Sequence, residues 1–252
     1  FSQELTRHAE VILHVAAQVI YEHLEREHGT PLTECGQVCR YALMALGKFG
    51  GEELGYASDL ELVLIYEDSG HTNHESRSID NAQFFSRLIQ KIKESIHAKE
   101  KGIFEIDLRL RPHGNKGPLA TAFPQWREYY LTNGQAHDYE RQSMIKLRSI
   151  WGDLEFTELI EKERDTLIYR NPPIPLSPMI EMRGKQVSEL STEGRINAKF
   201  SKGGLTDLEY SIQFLQLTQG HAHSELRSTN TITAMEFLLE KGVLTPTEFE
   251  KL

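Results

Sequence analysis

The sequence predicts an α+β fold, and three features carry that expectation. Residues 41–66, YALMALGKFGGEELGYASDLELVLIY, set an apolar run on each side of a glycine-bearing turn, the pattern of two strands joined by a tight connection. Residues 103–112, IFEIDLRLRP, alternate apolar and charged positions with a period of two and read as a third strand. Around these lie stretches whose apolar residues recur every three to four positions, the helical period.

In chain order, residues 3–27 put Leu5, Ala9, Leu13, Ala16, Ile20 and Leu24 on one face with charges opposite, an amphipathic helix. Gly29, Thr30 and Pro31 end it, and residues 33–39 read as a connector or helical turn. The only two cysteines, Cys35 and Cys39, fall there. A helical i,i+4 pair has poor disulfide geometry and two ligands do not complete a structural zinc site, so both are expected as reduced, buried thiols. The strand pair follows, then a polar loop over 67–78 with His71 and His74. Residues 79–97 form a second amphipathic helix whose buried stripe is Phe84, Leu88, Ile92 and Ile96. After the third strand, Glu140, Lys146 and Arg148 read on spacing alone as helix-surface charges. Pro172, Pro173, Pro175 and Pro178 punctuate the chain, giving a first domain over 1–160 and a helical domain over 161–252. Helices are expected at 179–190, 205–219 and 229–241, with another from 245 onward.

With 252 residues, 39% of them hydrophobic, the chain has the apolar content for a packed core and is not a disordered segment. A net charge of -9 and a pI near 5.7 argue against a nucleic-acid backbone as the partner. No apolar run approaches the length of a membrane span, and the N-terminus lacks the basic-then-apolar order of a signal peptide. A cytoplasmic protein with no membrane partner is therefore expected. The chain starts without methionine and stops inside a helical pattern, as a piece of a longer protein would.

Chemistry is suggested by the carboxylates. Side chains alternate across a strand, so Asp59 and Glu61, two apart, share a face. Adjacent carboxylates repel and resist burial unless a cation lies between them. Two readings fit this spacing, a solvated strand edge and a site for a hard divalent ion, since Mg2+ takes one or two carboxylates together with substrate phosphates. Gly50 and Gly51, lacking a Cβ, would let amides at the start of a short helix meet a phosphate. They form neither a P-loop nor a dinucleotide fingerprint. On the third strand Glu105, Asp107, Arg109 and Arg111 share one face. That face is either exposed and laced with salt bridges, or it supplies Asp107 as a third carboxylate ligand with Arg109 and Arg111 turned toward phosphates.

The run GKFGGEELGYASDLEL resembles the pattern G-K-x-G-G-x-E-L-x-x-x-S-D-x-D-L of the glutamine synthetase adenylyltransferase/adenylyl-removing enzyme family, with Glu61 where the family carries its second Asp. Residues 107–117 match D-x-R-L-R-P-x-G-x-x-G throughout. Lys199, Gly203, Gly204, Asp207 and Glu209 match K-x-x-x-G-G-I-x-D-I-E-F. Three separated motifs thus occur in order, and the likeness covers almost the whole chain. It implies a polymerase-beta-like nucleotidyltransferase domain with N-terminal helices, followed by a helical bundle domain. The implied activity is adenylyl transfer from ATP to a tyrosine of glutamine synthetase, or the reverse phosphorolysis. Asp59, Glu61 and Asp107 become the implied catalytic residues and ligands of Mg2+ or Mn2+. Lys48, Gly50, Gly51, Ser58, Arg109 and Arg111 become the nucleotide-binding set, and the likeness also draws Lys146 and Arg148 toward the site. Gly117, Pro118 and Leu119, with Glu128, Tyr129 and Tyr130, are similar to the adenylyl-removing half. A PII-type signal protein is an implied partner of the longer protein. Because Glu61 is one methylene too long, a non-catalytic nucleotide-sensing or partner-binding module on the same fold stands as the alternative.

Overall fold

In a computed structural model that describes residues 1–96, 104–170, 173–190 and 197–252, two neighbouring strands, β2 (Tyr41–Ala45) and β3 (Leu60–Tyr66), are the central pair of the main sheet. The chain divides into two compact units, one of residues 1–136 and 146–163, the other of 137–145 and 164–252. It is a mixed α+β protein.

The first unit begins with α1 (Ser2–His28) and the short strand β1 (Pro31–Thr33), which pairs antiparallel with β4 (Gly70–Thr72) in a separate two-stranded ribbon. Antiparallel pairing of β2 with β3 runs from Tyr41 opposite Tyr66 to Ala45 opposite Leu62. Both strands are apolar along nearly their whole length because both of their faces are covered. One turn of helix, α2 (Gly47–Gly50), lies between them in sequence. On the far edge of β3, β5 (Ile106–Asp107) lies parallel at its start, and β6 (Ala120–Ala122) lies parallel at its end. On the other side, β7 (Arg148–Gly152) adds to β2 with an irregularity between Leu43 and Met44.

Helix α3 (Asn81–Ser95) starts where the Asp80 carboxylate accepts a hydrogen bond from the Gln83 amide at 2.6 Å, an N-cap. Its Phe84, Phe85, Leu88, Ile89 and Ile92 join Ala9, Leu13, Ala17 and Leu24 of α1 in one core with the sheet. The expected stripes of both helices face this core, with Leu5, Ile20 and Ile96 only half-buried against it, Ile96 just past the end of α3, and Ala17 rather than Ala16 buried. Helix α4 (Phe123–Tyr130) buries Trp126, Tyr129 and Tyr130.

The described elements of the second unit are helical: α5 (Asp138–Ser143), the end of α6 (Leu154–Ile168), α7 (Leu176–Leu190), α8 (Leu205–Gln219), α9 (Thr231–Glu240) and α10 (Pro246–Lys251). Ile212, Leu226, Ala234, Met235, Leu238 and Leu244 form its core. Asn230 caps α9, and Thr245 with Glu248 forms a capping box on α10. No helix among the described residues is long and apolar enough to cross a membrane.

Four expectations are corrected. The third strand stops after Asp107, because that side chain accepts the Arg109 amide at 2.8 Å and turns the chain, so Arg109 and Arg111 are not on a strand face. Its first residue, Ile103, and the expected helical end near residue 97 lie outside the described residues. Residues 148–152 form a strand where only helix-surface charges were expected, and residues 70–72 of the polar loop form another. Cys35 is exposed in a turn, whereas Cys39 is buried and burial pushes its thiol up to about 11.

Gly50 shows how tightly the turn is drawn against the sheet, since a Cβ there would lie 1.9 Å from the Lys146 carbonyl oxygen and 2.9 Å from that of Ala45. Both obstacles are backbone, so Gly50→Ala should destabilise the protein by about 3 kcal/mol or more. A Cβ on Gly55 would meet only the Ser58 hydroxyl at 3.5 Å, so Gly55→Ala should cost less than about 1 kcal/mol. Chemical denaturation of the two variants checks the contrast.

Candidate active site

The glycine turn and the acidic strand are one device. Gly47 has φ +51, and the position its Cβ would take is filled by the Glu61 carboxylate, with one oxygen 1.5 Å away. The Leu46 amide donates to the Glu61 carbonyl at 3.0 Å, so backbone and side chain of Glu61 both lie against the entry of α2. Glycine is required twice here, by conformation and by space.

Register then brings the acids together. In the parallel pairing of β3 and β5, Glu61 stands opposite Asp107. The Leu60 amide donates to the Glu105 carbonyl at 2.9 Å and extends that pairing. Asp59 sits one residue before β3 and is exposed. Asp107 is largely buried, its side chain 13% exposed, and it accepts a fork from Arg109: Nε donates at 3.0 and 2.9 Å to the two oxygens, and Nη2 at 2.6 Å. Asp107 raises the Arg109 pKa most, and the charges of Asp59 and Glu61 raise it further. One guanidinium thus feels all three carboxylates.

The remaining predicted residues divide. Ser58 accepts the Gly55 amide on its hydroxyl at 2.9 Å and shapes the loop before β3, while Lys48 is exposed on α2. Gly50 and Gly51 close a helical turn instead of opening one: their amides donate to the Leu46 and Gly47 carbonyls at 2.8 and 3.0 Å, so they do not point as an open pair at a phosphate. Arg111 is buried rather than turned to a ligand. Its Nη1 donates to the Leu108 carbonyl at 2.6 Å, while Nε and Nη2 reach the Gly117 carbonyl at 3.3 Å, tying residues 108–117 into a closed loop.

Lys146 and Arg148 brace the motif from the β7 side. Buried Lys146 donates to both oxygens of Glu53 at 2.9 and 2.8 Å. Arg148 reaches Glu10 at 2.6 Å and the Gly50 and Phe49 carbonyls at 3.0 and 3.2 Å. Sequence reasoning passed over Glu53 and Glu10 as partners; Glu53 was visible as the acid of the G-G-x-E-L motif. In the second unit, Glu140 accepts the His137 amide at 2.8 Å in a capping box. Asp207 accepts the Gly203 amide at 2.5 Å and Arg183 Nε at 2.6 Å, so it is a helix-entry carboxylate in an ion pair.

A hard divalent cation suits this donor set chemically, because every candidate ligand is a carboxylate oxygen. As they lie, the acids do not close on one point: among the described residues no group of three or more His, Cys, Asp or Glu is arranged to hold a metal ion. The Arg109 fork on Asp107 occupies oxygens that such a sphere would use.

A sequence model of the family described as glutamate-ammonia ligase adenylyltransferase matches residues 1–163. The chain is 30% identical over 250 residues to the bifunctional glutamine synthetase adenylyltransferase/adenylyl-removing enzyme of Hahella chejuensis, covering 96% of this chain and 26% of that protein. It is 32% identical over 221 residues to the enzyme of the same description from Psychromonas ingrahamii, covering 86% of this chain and 23% of that one. The chain therefore spans about a quarter of the length of these relatives.

Asp107 titrates below the ordinary carboxylate range. Burial alone would raise it, and the Arg109 fork and amide outweigh that. With the folded pKa below the unfolded one, its stabilising contribution is present above the unfolded value near about 4 and is lost as pH falls through the folded value. Arg109→Gln should raise the Asp107 pKa and move acid unfolding to higher pH. Carboxyl-carbon NMR titration reads this directly, and an unmoved Asp107 would show that the fork does not hold in solution.

Proposed function

The chain belongs to the glutamate-ammonia ligase adenylyltransferase family, and from that premise we propose that its first unit is a polymerase-beta-like nucleotidyltransferase module. Its reaction is the transfer of an adenylyl group between ATP and a tyrosine hydroxyl of glutamine synthetase. The observation that carries this reading is Glu61 opposite Asp107, with Asp59 at the mouth of β3 and the Arg109 guanidinium acting on all three charges.

In the forward direction the tyrosine oxygen bonds to the α-phosphorus of ATP, the α–β phosphoanhydride bond breaks, pyrophosphate leaves, and the hydroxyl gives up a proton. In phosphorolysis an orthophosphate oxygen bonds to the same phosphorus, the tyrosine leaves with a proton, and ADP forms. Neither nucleophile belongs to the enzyme, so its work is positioning and charge compensation. Asp107, held ionised by its neighbours, is the group that accepts the proton of the incoming hydroxyl. Arg109 has a side chain 69% exposed, long enough to exchange Asp107 for a phosphate oxygen. Lys48 supplies a second cation from α2, and Ser58 borders the same loop; Gly50 and Gly51 contribute by keeping the turn tight. Mg2+ or Mn2+, held by Asp59, Glu61 and Asp107, would supply neutralisation of the phosphate charge.

A second reading is favoured by two specific observations, Glu61 in place of the family's Asp and the fork of Arg109 on Asp107. In it the unit binds nucleotide without turning it over and serves as a sensing or partner-binding module. For the longer protein we also propose a cytoplasmic setting and regulation by a PII-type signal protein.

Incubation with α-labelled ATP and glutamine synthetase tests the forward reaction, and adenylylated glutamine synthetase with orthophosphate tests the reverse. Asp107→Asn should slow whichever direction is active by a factor on the order of 10²–10⁴. ATP binding with no transfer in either assay would select the second reading.

A further inference from the structure

Helix α1 is apolar on two opposite faces. Leu13, Ala17 and Leu24 point into the core, yet Val11, Ile12, Val15 and Val19 lie on the outward side with 56–61% of their surface exposed. Branched side chains do not favour helix formation, so three valines on a solvent face are not explained by the helix itself. A continuous apolar helix stripe bordered by charge marks an interaction surface.

The stripe also has a symmetry. At 100° per residue, Glu4, His8, Val11, Val15, Val19, Glu22 and Arg26 all lie within about 40° of the direction of Val15. Their spacings are four, three, four, then four, three, four, which is mirror-symmetric about Val15. Eleven residues in three turns is close to the natural period of a straight helix, so the stripe runs along the helix without a left-handed supercoil. We propose that this face of α1 pairs antiparallel with the same face of a second copy of the chain, about a twofold axis at Val15. The occupant is argued from charge: that register sets Val15 on Val15, Val11 on Val19, His8 on Glu22 and Glu4 on Arg26, so each acid meets a basic side chain of the other copy at both ends of an apolar centre. Self-complementarity of this kind is what an isologous interface requires. Ile12 lies beside the apolar centre and widens it. One flank of α1 is already occupied within the unit, with Glu10 bound to Arg148 at 2.6 Å and His14 stacked on Trp151 at 3.7 Å, while on the other Leu5, His8 and Ile12 line an open cavity with Leu60, Ile96 and Phe104; within the stripe Glu4 holds Arg7 at 3.0 Å and Glu22 holds Gln18 at 3.2 Å, both exposed contacts that pairing with a second copy would exchange. The inference is independent of the nucleotide chemistry.

Sedimentation equilibrium of the 252-residue chain over a range of concentrations tests it. A monomer–dimer equilibrium that stops at two copies is expected. Val15→Glu places two carboxylates together on the axis and should weaken the dimer on the order of a hundredfold or more. Because Val15 is 56% exposed in the single chain, thermal unfolding of the dilute variant should match the parent, which separates lost pairing from misfolding. Glu4→Arg should weaken the dimer, and adding Arg26→Glu to it should restore affinity. A chain that is monomeric at every concentration, a dimer indifferent to Val15→Glu, or a double charge reversal that fails to rescue would each overturn the proposal.

Discussion

The contact on which the first unit depends is the Glu61 carboxylate lying in the space that a side chain on Gly47 would fill. It links the end of β2 to the start of β3 at the point where the chain makes its single turn of helix. Because Glu61 is held from below in this way, its opposition to Asp107 in the neighbouring strand is a consequence of sheet register and not of a flexible loop. The acids are presented by the most buried part of the fold, which is where positional accuracy costs least.

The basic residues around this contact fall into two physical kinds. Lys146, Arg148 and Arg111 are buried or half-buried, and they bond to Glu53, to Glu10 and to backbone carbonyls of the turn and loop. Each stabilises the geometry, and removing one partner of such a pair leaves the other charge poorly solvated. Arg109 is different in being largely exposed while bound to the largely buried Asp107. An exposed guanidinium is screened and loses little on leaving, so it is suited to exchange one anion for another, whereas its buried neighbours are not.

This division explains why the acid cluster can persist in the fold. Asp59, Glu61 and Asp107 would repel one another, and the guanidinium of Arg109 lowers that cost by acting on all three. A divalent cation would compete for the same oxygens. The extra length of Glu61, which family resemblance alone makes a defect, has a structural counterpart in the pocket over Gly47 that receives its carboxylate.

Much of the fold was legible in the residues. The apolar runs of β2 and β3 declared a covered strand pair, the stripes of α1 and α3 declared their buried faces, and α8 begins at Leu205 and ends at Gln219 as its period requires. Periodicity reports burial, and burial was enough for these elements. It failed at residues 105–111, where alternation continues in sequence but Asp107 bonds the Arg109 amide and bends the chain, and at β7, whose half-buried residues carry little pattern. Among the candidate site residues, the sequence by itself determined which carboxylates are present and that Glu61 lies on a strand with Asp59 two residues before it, although Asp59 itself falls just ahead of that strand. Only the tertiary structure decided that Asp107 stands opposite Glu61, that Arg109 binds it while Arg111 is buried in its own loop, and that Gly50 and Gly51 close a helix. Those outcomes depend on strand register and on which carbonyls remain to accept a bond, and neither quantity is encoded in the spacing of residues along the chain.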